Sequence, residues 1–270
     1  MRLKRENGAG PTNKLYPDQA GEKEVTANAG PLSEKPPINI TVLILDALYY
    51  HAAFRSFQRA RTAEPELRKA LQDFEPLQAL SEAILREHGG SAHKAYDQLE
   101  PIYMQMDGTS EQIGFAYTPV LEGVASTHIL CASALESHIN ARASELLSGK
   151  IREKFERVDL EFKWLLLPKL TGYPGFDPGA EPFQGFSRLI RLRNALIHYR
   201  ERREPCAPNG VPAFLSELGL TLEDASRSLA STSRMIESLA NKLGQDTPYW
   251  LRRDPGEISC FDPRCVDDNA

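Results

Sequence analysis

Arg193, Asn194 and His198 stand together in the segment Leu192-Arg193-Asn194-Ala195-Leu196-Ile197-His198-Tyr199. Their side chains are of the kinds that move protons and hold anions. An imidazole titrates near neutral pH, so it serves as base and as acid. A guanidinium keeps its charge and offers a fork of donors that matches phosphate oxygens. On a helix each residue turns about 100°, so Asn194 and His198, four apart, share a face. Arg193 lies about 140° around the axis from His198 and must curl to meet a partner. Leu189, Leu192 and Leu196 form the opposing apolar stripe. The pattern predicts a helix with one side in a core and a polar seam turned to a partner.

An Arg, an adjoining Asn and a His after four intervening residues resemble the signature of the HEPN superfamily. Ala134-Leu135-Glu136-Ser137-His138-Ile139-Asn140 resembles an early helix of such domains, and the likeness covers about residues 118 to 245. It implies an all-α helical bundle of HEPN type, with the motif on its third helix and additional helices before it. It implies a homodimer through the motif helix, two copies of Arg193 and His198 lining one cleft. The implied activity is metal-independent endoribonuclease: the 2′-hydroxyl attacks the adjacent phosphate, histidines act as base and acid, and arginines hold the phosphorane oxygens. Arg193, Asn194 and His198 would then be catalytic, with Asn194 orienting His198 or binding phosphate. No cofactor and no metal is implied, and a toxin or defence role with an antitoxin or regulatory partner is. Some HEPN toxins carry a modified Tyr two residues after the His; Arg200 stands there, so that regulation is not implied. The alternative is a HEPN-like module that dimerises and binds RNA or a partner without cutting.

The charge pattern fits a confined anion site. The net charge is −5, which argues against a protein that coats nucleic acid. Yet Ser187 to Arg203 holds six arginines and one acid, +5 against −10 for the rest. Arg191, Arg200 and Arg203 are the expected RNA contacts. Arg200, Arg202 and Arg203 would also suit a helix C-terminus. Arg188 reads as solvated face, Glu136 as a candidate partner for Arg193, and His128 and His138 as structural. The four cysteines, Cys131, Cys206, Cys260 and Cys265, lack zinc spacing. Cys260 and Cys265 could meet as a disulfide or a weak metal pair, but free cytosolic thiols are the expectation.

Apolar residues make up 41% of the chain, enough for a core. The longest apolar stretch, 38–50, is broken by Asn39, Thr41 and Asp46, so no membrane span is expected. The basic N-terminus lacks an apolar signal region, which points to the cytoplasm. Residues 1–37, rich in Gly and Pro, read as disordered. Residues 38–115 read as an N-terminal helical region: one helix ending near Arg61, a second from Pro65 to Gly89 kinked or broken at Pro76, and a shorter one over 92–106. Residues 116–246 read as the HEPN-like domain, with helices over 119–147, 151–170, 182 to before Pro205, and one capped at Thr221. Residues 247–270 read as an irregular tail. No run alternates with period two.

Overall fold

The computed structural model describes residues 39–199, 218–253 and 261–265. The expectations for residues 1–37, Cys206, the Cys260 pairing, Arg200 and Arg203 fall outside these. The compact unit Ile40–Arg264 concerns us here. Its described residues form six helices: α1 (Leu45–Glu87), α2 (Tyr96–Leu146), α3 (Gly149–Glu156), α4 (Leu160–Leu170), α5 (Phe183–Ile197) and α6 (Leu222–Lys242). Strand β1 (Asn39–Leu43) pairs with β2 (Phe261–Cys265) in a two-stranded sheet. The fold is an all-α helical bundle. No described helix is long and apolar enough to cross a membrane.

The N-terminal helices are longer than the sequence suggests. α1 runs unbroken through Pro65 and Pro76, and α2 through Pro101 and Pro119. An interior proline removes a hydrogen bond and costs about 3 kcal/mol. All four prolines, like Gly108 and Gly114, lie on exposed positions, where water can serve the freed carbonyls. The inward face meanwhile stays apolar, with Leu67, Ala70, Ile113, Val120 and Val124 in one buried cluster. The reading that parted 38–115 from 116–246 sets its boundary inside α2. α1 and α2 approach tightly at Gly123: a Cβ there would lie 2.7 Å from the Ser56 carbonyl oxygen and from the Ala60 Cβ.

The expected single helix over 151–170 is two. Asp159 is an N-cap whose carboxylate accepts from the Phe162 N–H at 3.0 Å, and it starts α4 afresh. The main core joins Leu135 and Ile139 of α2, Trp164 of α4, Phe186 of α5 and Met235 and Ile236 of α6. The stretch read as irregular tail adds to it: a 3₁₀ turn at Tyr249–Leu251 buries Trp250. Cys131 is sealed in this core, and burial pushes its thiol up to about 12.

Candidate functional site

The motif lies at the C-terminal end of α5. Phe183, Phe186 and Leu189 bury one side of the helix against the core. Leu192 and Leu196 are half-buried. Leu196 packs beside Leu220, and Leu192 closes on Gly219. Gly219 has φ +64°, and a Cβ there would lie 2.6 Å from a Leu192 methyl. The position thus asks for glycine on both backbone and packing grounds.

His128 holds that turn from α2. Its Nε2–H donates to the Gly219 carbonyl at 2.8 Å, because a carbonyl can only accept. Its Nδ1 therefore accepts the Ser228 hydroxyl of α6, also at 2.8 Å. The expected structural role of His128 is what its contacts describe: it pins the turn that packs under the motif. Burial lowers the His128 pKa. The unfolded chain thus takes up this proton first as pH falls below about 6.5, and the folded state loses stability from there downward. The unfolding midpoint at pH 5.5 is therefore expected to lie below that at pH 7.5, and His128→Gln is expected to shrink the gap. A gap that the substitution leaves unchanged would assign the pH dependence to other groups.

Around the motif, Arg193 is half-buried while Asn194, His198 and Arg191 are exposed. Arg193 curls as its length allows: its Nη1 donates to the Asn194 Oδ1 at 3.0 Å. The two side chains line one edge of a groove of about 340 Å³ between α5, α2 and the start of α4. His198 stands apart from it. It is the C-cap of α5, one residue past the helix, its N–H still bonded to the Asn194 carbonyl at 3.0 Å. The helix thus ends earlier than the sequence predicts, and one chain gathers Arg193 with Asn194 but does not bring His198 into their groove.

The rest of that groove is a mix of apolar and mostly acidic residues. Glu136, Glu156, Asp159 and Glu161 line it, with Lys163. Glu136 faces the same space as Arg193, but among the described residues the two form no ion pair. Lys163, which the sequence reading passed over, is buried; its Nζ donates to the Asn140 Oδ1 at 2.9 Å and lies 6.0 Å from the Phe155 ring centre. Its place in an apolar helix run hid it.

On the opposite flank of α5, Arg188 is solvent-exposed, as its reading as solvated face expects, and it also acts as a clamp. It bonds the buried Asp224 carboxylate at 2.6 Å and ties α5 to the first turn of α6. Asp224 also donates its N–H to the Thr221 hydroxyl, the expected cap. His138 is buried and bonded to Asp46 at 2.7 Å, a pair that sequence reasoning missed. The one signal was a lone acid, Asp46, inside an apolar run.

Chemically, the surface at the end of α5 offers a guanidinium oriented by an amide and, one turn on, an exposed imidazole. Among the described residues no cluster of His, Cys, Asp and Glu could hold a metal ion. No protein-family model, no curated protein and no solved structure matches the chain.

Proposed function

We propose that the chain is a metal-independent endoribonuclease of HEPN type, working as a homodimer through α5 in a toxin or defence system. The observation that carries this reading is the exposure of the motif. Arg193 and Asn194, joined side chain to side chain, stand at an open groove, and His198 ends the same helix in solvent. Polar groups gathered at one helix end, outside the core, are available to a second copy and to a substrate. A single copy separates His198 from the Arg193 groove, so the second copy must complete the cleft. There two imidazoles would serve as base and acid, and the guanidiniums would hold the charge that develops on phosphorus. Arg191, Arg200 and Arg203 would hold flanking phosphates. A regulatory protein such as an antitoxin would act by covering this face.

The test is mixed RNA incubated with the purified protein in excess EDTA, beside His198→Ala and Arg193→Ala. Cleavage by the unsubstituted protein alone, leaving 2′,3′-cyclic phosphate ends, is the expected result. Equal cleavage by all three, or none by any, sinks the roles assigned. One observation favours a second reading, a HEPN-like module that dimerises or binds a partner without cutting. The four carboxylates of the groove repel a phosphate chain and suit a basic protein segment. RNA binding or partner capture that survives His198→Ala, with no cleavage, selects that reading.

A further inference from the structure

A second concave site lies away from the motif. It is a cavity of about 390 Å³ formed by the start of α1, the C-terminal half of α2 and the 3₁₀ turn. His138 and Asp46, 92 residues apart in the chain, meet in its wall at 2.7 Å. A carboxylate only accepts, so the hydrogen of this bond sits on Nδ1. Nε2 is left without a hydrogen-bond partner among the described residues. Two indoles hold the ring: Trp164 stacks on it with centroids 6.3 Å apart, and Trp250 meets it edge-on at 6.5 Å. Such a fixed imidazole, buried in an aromatic wall and open at one nitrogen, is a preorganised polar anchor.

The remaining lining sets the class of ligand. Leu45, Ala141, Pro248 and Tyr249 supply an apolar body-sized surface. The charged lining is Asp46, Arg142, Glu145 and Asp246. Arg142 is neutralised by Glu145 at 2.9 Å, and Asp46 is engaged by His138. Asp246 is exposed and makes no ion pair among the described residues. The lining is net negative whether the imidazole carries a charge or not.

We infer that this cavity binds a small organic cation, an amine on an aromatic or apolar body, with its charge at Asp246 and its body against Tyr249 and Trp250. The site does not depend on RNA cleavage, and its test is separate.

Both tryptophans of the chain flank His138, so their fluorescence reports occupancy. The unsubstituted protein is titrated with phenethylamine, 2-phenylethanol and 3-phenylpropanoate, which share a ring and differ in charge. Phenethylamine is expected to saturate, the alcohol to bind about tenfold more weakly for want of one charge-assisted contact, and the carboxylate weakest. Asp246→Asn, at an exposed position that leaves the core untouched, is expected to bring the amine to the level of the alcohol and to leave the alcohol unchanged. His138→Gln, with folding checked by near-UV circular dichroism, is expected to weaken amine and alcohol alike. No saturable binding by any probe, equal binding by all three, or amine binding indifferent to Asp246→Asn would overturn the inference.

Discussion

For the proposed nuclease, His198→Ala is expected to lower the rate of RNA cleavage about 10² to 10⁴-fold, the range that a lost general acid or base removes, while the unfolding midpoint stays within about 1 °C. The second half of that expectation follows from position. His198 is exposed at the C-cap, and what it gives the fold is a backbone N–H to the Asn194 carbonyl, which alanine keeps. Arg193→Ala should behave differently. Its loss removes the guanidinium and frees the Asn194 amide, so the rate falls through both charge and positioning, and Arg193→Lys should recover little because an ammonium lacks the fork. Rate measurements beside thermal melts check this. A His198→Ala protein that cuts within threefold of the unsubstituted chain refutes the proton-transfer role, whatever Arg193 does.

Trp164→Ala is expected to cost about 3–5 kcal/mol, as for a large aromatic removed from a packed core, and to lower the melting temperature by roughly 6 to 20 °C. Trp164 has no exposed surface. Its ring lies 6.0 Å from Phe176, 5.7 Å from Phe186 and 6.3 Å from His138, centroid to centroid. It therefore joins α4 to α5 and α2 at once. Its indole N–H is buried without a hydrogen-bond partner among the described residues, which already costs the fold about 1–3 kcal/mol. Trp164→Phe removes that group with only part of the volume, so it should cost less than half as much as alanine. A melt that shows Trp164→Ala within about 1 kcal/mol of the unsubstituted protein would mean that the core collapses around the gap.

The helical class and the position of the motif were legible because both rest on local patterns. The stripe of Leu189, Leu192 and Leu196 fixes α5, and Thr221 with Asp224 fixes the start of α6. The breaks were misread where a local rule met tertiary packing. Pro65 and Pro119 read as starts of new helices and Pro76 as a kink or break, but all three sit on exposed positions of continuous helices. Asp159, a lone cap within an apolar run, gave too little signal to divide α3 from α4. The His138–Asp46 pair was illegible for a different reason. Its members are far apart in the chain, and nothing in either neighbourhood names the other. At the motif, the sequence placed Arg193 off the face of Asn194; the flexible side chain undid that, while the early end of α5 took His198 away from the groove.

The length of the first two helices carries a consequence for the order in which the molecule opens. α1 has 43 residues and α2 has 51, rod lengths of about 65 and 77 Å at 1.5 Å per residue. Between Leu71 and Gln112 the buried residues are only Ser81, Ala95, Leu99 and Ile102, whereas the other end of the pair enters both buried clusters. The connection between the rods is short, so closing the hairpin costs little chain entropy and its contacts are local. Amide protons of the far end should therefore exchange by a partial opening that leaves Leu135, Trp164 and Met235 protected. The hairpin tip breathes on its own clock, and the end of α5, seated at the other end of the same rods, does not have to follow.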